Sequence, residues 1–256
     1  MNTEFPTIAI QGEGVIAKNH IAKGTGTAVF GAFFVAILGT LIGIIFSYGV
    51  LLVVLLFYPL IAHFINKKAL ATIHGSGILV SEEQFPEIQE CVDTFASRLG
   101  IQKSISVYIV EESIMNAAAV KYGKKNVILL TDRLIQGALE SGEPRALSFV
   151  LAHELAHISL KHTGLFRSWM SGHMKLLGRL DEYSADAVAA ALVEEKTIAY
   201  NGLLMLTIGY ALLPYVDAES VVQQAEEVAN DKYSKRAEKT LTHPLLLNRL
   251  YKILST

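Results

Sequence analysis

Cysteine is nearly absent from this 256-residue chain, where Cys91 stands alone. A single thiol excludes an internal disulfide framework and any zinc site built from several cysteines. Charge is also scarce. Only 18% of the residues are Asp, Glu, Lys or Arg, against about 25% in soluble domains. The net charge of −2 offers no basic surface for a nucleic-acid partner. No internal repeat or low-complexity linker divides the chain. With 52% apolar residues, the composition is neither that of a disordered protein nor that of a fully soluble one.

The shortage of charge is local. From Gly24 to Asn66 there is no Asp, Glu, Lys or Arg, a run of 43 residues. As a single helix it would be roughly 64 Å long, about twice the hydrocarbon core of a bilayer. Two spans over 28–46 and 50–64, turning near Ser47-Tyr48-Gly49, fit better than one. Lys18 and Lys23 precede the run and Lys67 and Lys68 follow it, while the turn carries no charge. The positive-inside rule then puts both ends in the cytoplasm, whereas a single span would leave one basic flank outside. A cleaved signal peptide is excluded by the length of the run and by the residues ahead of it, Glu4 and Glu13 among them. Gly39 and Gly43 form a small-xxx-small pair, although glycine is common in membrane helices generally.

Beyond residue 66 the texture is that of a globular domain. Ser81-Glu82-Glu83-Gln84 is a helix-start signal, with helical spacing over 85–99 and a stop at Gly100. Residues 104–110 (SISVYIV) and 126–131 (NVILLT) are rich in β-branched side chains and predict strands. Ser141-Gly142-Glu143-Pro144 announces a helix running to about Lys161, and alanine content predicts another over 181–193. The expected fold is α+β, mainly helical, with a small β-sheet.

The chemistry lies in His153-Glu154-Leu155-Ala156-His157. Residues four apart share a helix face, so both imidazoles can reach one ion at about 2.0–2.1 Å. Glu154 is turned by about 100° from the first histidine, which sets its carboxylate beside the ion rather than on it. A base must stand there to take a proton from a water the metal activates. With 8 histidines and 18 glutamates in the chain, this pattern arises by chance about 0.02 times per sequence.

A catalytic zinc needs a third protein ligand and an open position. Position 163, where a third histidine six residues past His157 would stand, is Thr. His162 lies only five residues beyond His157, about 140° round the same helix, and so points elsewhere. Glu182 is the better candidate. Asp186 follows it by four residues on the same face, so one carboxylate can bind metal while the other accepts the N–H of a ligand histidine. Asp181 and His173 remain alternatives.

Taken together, these features resemble the HtpX-like family of membrane zinc metallopeptidases, which includes the CAAX prenyl proteases. The resemblance runs from about residue 78 to 252. It rests on the Ser81-Glu82-Glu83-Gln84-Phe85-Pro86 stretch, Asn116-Ala117-Ala118-Ala119, the helix motif, Glu182 with Asp186, and Thr242-His243-Pro244 with Arg249. It implies a zincin-like domain of the gluzincin type over 67–256, after an N-terminal cytoplasmic segment (1–27) and a transmembrane hairpin (28–66). It further implies one zinc per chain on His153, His157 and Glu182, with Glu154 as general base. On the same grounds His243 would steady the oxyanion, with Asp186 and Arg249 in support. The segment Asn116, Ala117 and Ala118 would hold an extended substrate by strand addition.

The implied protein is an endopeptidase of the inner (cytoplasmic) membrane, multi-pass and facing the cytoplasm, acting on protein or peptide substrates, with the lipid bilayer as its other partner. A role in membrane-protein quality control belongs to the same implication. A catalytically silent scaffold of the same fold and a zinc hydrolase of small or lipidated substrates are the alternatives. Oligomeric state is not legible.

Two features depart from the family. Only 24 residues separate His157 from Glu182, and Lys161, Arg167, Lys175 and Arg179 among them exclude the two spans the family carries there. With Phe166, Trp169, Met170, Leu176 and Leu177 between those cations, the stretch reads as a lid, a membrane-surface helix or a plain connector. Residues 197–216 form a second charge-free run, expected to be a buried or interfacial helix; if it spanned, His243 would lie across the membrane from His153.

Overall fold

A computed structural model describes residues 5–112 and 116–255. The charge-free run folds as two helices, α1 (Thr25–Phe46) and α2 (Val50–Ser76). They are joined at Ser47-Tyr48-Gly49, where Tyr48 (φ 49°) and Gly49 (φ 85°) adopt the left-handed conformation that reverses the chain. α2 is longer than expected. It continues through Lys67 and Lys68 to Ser76 and delivers the chain directly to the domain. The helices do not pack along their length. No residue of α2 is buried, and Phe30, Leu56 and Phe46 are 72–80% exposed. A Cβ on Gly39 would meet nothing within 4 Å, whereas one on Gly43, next to the turn, would come 2.9 Å from a Leu51 methyl, so the helices approach each other only near the turn.

The domain is helical around a four-stranded sheet of order β1-β2-β4-β3. The strands are β1 (Ile78–Leu79), β2 (Ile105–Val110), β3 (Ala117–Tyr122) and β4 (Lys125–Thr131). β2 and β4 run parallel, with Val107 opposite Ile128, and the outer strands are antiparallel to their neighbours. β2 and β4 form where β-branched residues predict strands. β3, with three alanines, carries little strand propensity. Its pairing with β4 makes it a strand, and its position leaves it an edge.

The helices follow in order: α3 (Pro86–Arg98), α4 (Asp132–Glu140), α5 (Ala146–Ser159), α6 (Leu165–His173), α7 (Lys175–Val193), α8 (Lys196–Ile208), α9 (Ala218–Asn230), α10 (Lys232–Glu238) and α11 (Leu246–Ser255). α5 is the axis of the core. Every residue in it except His157 and Ser159 is buried, because it is apolar all round and packed by α3, β3, α7 and α8. Gly202 lets α8 close on it; a Cβ there would come within 2.8 Å of the Ala146 carbonyl oxygen.

The run 197–216 is therefore a core helix followed by an exposed turn, and not one continuous span. α8 buries Leu203, Leu204 and Met205 and stops at Gly209 (φ 77°), after which a 3-10 turn begins. The N-terminal segment is not detached either. Residues 1–4 lie outside the described residues, but Ile8 and Ile10 are buried in the domain core. The Arg98 guanidinium ties the segment down, donating to the carbonyls of Ile10 and Glu13 and to that of Leu192. The chain on both sides of the apolar run is thus bound into one body, so α1 and α2 form a hairpin.

Candidate metal centre and substrate cleft

α5 presents His153 and His157 on one face, with their Nε2 atoms 3.1 Å apart. α7 lies across that face and brings Glu182 to both: Oε2 is 3.6 Å from His153 Nε2, and Oε1 is 3.5 Å from His157 Nε2. Ligands at zinc distances on a tetrahedral ion are separated by about 3.3 Å. These edges match that spacing, so two imidazoles and a carboxylate fit the metal by type and by position. Among the described residues this is the one such group. Asp181 and His173 stand outside it.

The remaining nitrogens and carboxylates fix this arrangement. Asp186 Oδ1 lies 3.0 Å from His153 Nδ1, the ring nitrogen turned away from the metal position, as a charge contact rather than an aligned hydrogen bond. Arg249 from α11 meets both oxygens of Asp186 at 2.7 Å and lies 3.6 Å from Glu182. Burial works against charge on His153, but the Asp186 and Glu182 carboxylates more than offset it and raise the imidazole to about 10. His157, largely shielded from water and next to that charge, falls to about 4. The two imidazoles are thus shifted in opposite directions by the charges around them.

Glu154 lies beside this group in the same cleft and turns toward the sheet edge. Its Oε2 accepts the amide N–H of Ala119 at 2.5 Å. Burial raises its carboxyl, partly opposed by His153 and by that amide. The Ala119 amide faces away from β4, so the outer edge of β3 meets the base. Asn116 caps that edge. Its Oδ1 accepts from the amide of Ala117, and its carbonyl accepts from the Thr131 amide. Asn116, Ala117 and Ala118 line a cleft of about 620 Å³ together with the metal group and His243.

His243 enters from the loop before α11. Its side chain is 72% exposed, and Nδ1 lies 3.6 Å from Glu182 Oε1, whose charge raises the imidazole. α7 holds the loop in place through residues that sequence reasoning missed. Lys175 donates to the Thr240 carbonyl, and buried Arg179 to those of Lys239 and Leu241. A Cβ on Gly178 would lie 2.9 Å from the Thr242 carbonyl oxygen. Each contact is non-local, so no sequence pattern announces it.

His162 stays out of the metal group, but it lies against His157 rather than away from it, with Nδ1 3.0 Å from His157 Nδ1. Helix spacing does not reach it, because α5 ends at Ser159 and Lys161 turns left-handed (φ 62°), folding His162 back. His162 Nε2 in turn lies 3.4 Å from Asp181, which takes a short hydrogen bond from Arg167 and another, at 2.5 Å, from Ser171 Oγ. Asp181 therefore serves this outer chain. Burial raises its carboxyl to about 6, with Ser171 and Arg167 opposing.

A helical domain with a small mixed sheet, built round a two-histidine helix, is that of a zincin-like peptidase. Residues 82–175 match the peptidase family M48. A protease HtpX homolog 1 of Streptomyces coelicolor (strain ATCC BAA-471 / A3(2) / M145) is 28% identical over 141 residues, covering 55% of this chain and 45% of that protein. A protease HtpX homolog of Pyrococcus abyssi (strain GE5 / Orsay) is 31% identical over 140 residues, covering 54% and 47%. The chain thus aligns with just under half the length of these curated relatives. No solved structure matches. Over these stretches the chain is similar to the HtpX-like proteases of peptidase family M48. Glu182, Asp186, His243 and Arg249 lie beyond the stretch matched to the family, so their places in the site rest on geometry.

Proposed function

We propose that this protein is a membrane-anchored, zinc-dependent endopeptidase whose catalytic domain faces the cytoplasm. The observation that carries the reading is the convergence of His153, His157 and Glu182, with Glu154 set beside them at the edge of β3. A zinc ion on those three side chains would supply Lewis acidity, polarising the scissile carbonyl and acidifying a water. The protein does the rest. The outer edge of β3 with Asn116, Ala117 and Ala118 aligns an extended substrate as an added strand. Glu154 takes the proton of the attacking water and passes it to the leaving amine. His243, exposed in the cleft, donates toward the oxygen that gains charge. Asp186 holds the His153 ring, and Arg249 holds Asp186.

The hairpin supports the anchoring. α1 and α2 cover 22 and 27 residues, enough to cross a bilayer, and their surfaces are apolar and unpartnered. The lysines on the flanks place both ends in the cytoplasm.

Purified, zinc-loaded protein should degrade an unstructured substrate such as casein, and a chelator should stop it. A folded, zinc-bound protein that cleaves no polypeptide would leave a scaffold or a hydrolase of small or lipidated molecules. A reporter active only in the cytoplasm should work at the C-terminus and be silent at Tyr48; the reverse pattern would overturn the orientation.

A further inference from the structure

α6 has two contrasting faces. Arg167 and Ser171 point inward to Asp181, and Met170 is buried with Ala28 and Ala32 of α1 and Leu177 of α7. The outer face leaves Leu165 61%, Phe166 48% and Trp169 49% exposed. A row of rings runs along it. Phe33 of α1 meets Phe166 edge-on at 6.0 Å, Phe166 stacks on Trp169 at 6.2 Å, and Trp169 lies 4.7 Å from His173. The outer face of α6 is thus continuous with the exposed apolar surface of α1.

Continuity identifies the solvent. α6 touches α1 only along its first turns, up to Phe33, which is about 12 Å of helix from Thr25. If α1 spans, α6 lies at the end of the span, where the headgroups meet the acyl chains. Aromatic side chains concentrate at that depth, and short amphipathic helices settle there with the apolar face down. Lys23, just ahead of α1, and Lys161, just ahead of α6, are both exposed and suit anionic headgroups.

We infer that α6 is an interfacial helix seated in the phospholipid surface, a third membrane contact beside α1 and α2. This rests on the reading of α1 and α2 as spans. The consequence concerns the cleft. Ser168, Trp169, Gly172 and His173 of α6 face Ala119–Tyr122 across the groove beside β3. The wall opposite the substrate-binding edge is then held by lipid, and a polypeptide enters the groove along the bilayer surface. Where the relatives' resemblance leads one to look for spans after the zinc helix, a nine-residue helix lies on the membrane instead.

Trp169 is the only tryptophan in the chain, so its emission reports on this face alone. The full-length protein should be reconstituted into phosphatidylcholine–phosphatidylglycerol vesicles with acyl chains brominated either near the headgroup or near the bilayer centre. The expected result is strong quenching by the shallow bromines, weaker quenching by the deep ones, and little by aqueous iodide. A Leu165→Glu/Phe166→Glu variant should still float with the vesicles through α1 and α2, while Trp169 loses bromine quenching and becomes open to iodide. Protein that floats but whose Trp169 is quenched by iodide and not by brominated lipid overturns the assignment and leaves the anchoring intact. Quenching by neither means that another protein surface covers α6, which also overturns it. Failure to float removes the spans and the inference with them. None of these readouts needs turnover, so the Glu154→Gln variant gives the same signal whether or not the protein is a peptidase.

Discussion

The α5–α7 interface and the α1–α2 hairpin solve opposite problems. At the interface, buried ionisable groups meet one another: His153 meets Asp186, Asp186 meets Arg249, and His157 meets His162. In the hairpin, large apolar side chains meet almost nothing of the protein. Burying a charge is tolerable only with a partner of suitable geometry, whereas an apolar surface needs only a solvent that is not water. The first region is therefore specified by neighbours distant in sequence, and the second by composition alone.

The strongest way to test the interface is to leave its shape and remove one function. Glu154→Gln keeps the side-chain volume and abolishes basicity, so cleavage should fall by about 10²–10⁴ while zinc content and fold persist. A variant that still cleaves would move the base elsewhere, and one that loses zinc would make Glu154 a ligand. Arg249→Met should be the most damaging change to stability. It leaves Asp186 buried without its cation, and breaking a buried pair costs about 3–5 kcal/mol. Denaturant unfolding in detergent should register the loss; an unchanged midpoint would mean that Asp186 does not depend on Arg249.

The protonation of the histidine pair sharpens the same contrast. With His153 raised to about 10, a zinc ion must displace its proton, and the protonated form dominates below that value. Apparent zinc affinity should therefore fall as pH falls, about tenfold per unit across the neutral range. Competition with a fluorescent chelator measures this, and a flat profile would show that His153 is neutral before the metal binds. The smallest effects should come from a glycine pair. Gly202→Ala forces α8 off α5 and should cost about 1–3 kcal/mol, whereas Gly39→Ala, with nothing within 4 Å of the new methyl group, should leave the midpoint unchanged. Equal effects would mean that the hairpin packs on itself after all.

The pattern of residues was enough for the hairpin, the strands β2 and β4, α5 with its two histidines and glutamate, and the pairing of Glu182 with Asp186. These features are periodic or compositional, and a period of 3.6 or a run without charge is visible along the chain itself. β3 was less legible, because three alanines become a strand only when β4 offers a ladder. The return of His162 to His157 depends on one left-handed residue at Lys161, where helix spacing ceases to apply.

Tertiary structure decided which of the nearby acidic groups joins the histidines. Asp181, next to Glu182 in sequence, points a helical step away and is taken up by Arg167 and Ser171. It also decided that α8 stays in the core and that His243 shares a cleft with His153. A charge-free stretch is compatible with lipid or with protein as its surroundings. Only the surfaces brought against it, α5 and α11 for α8 and no protein surface along most of α1 and α2, determine which one it receives.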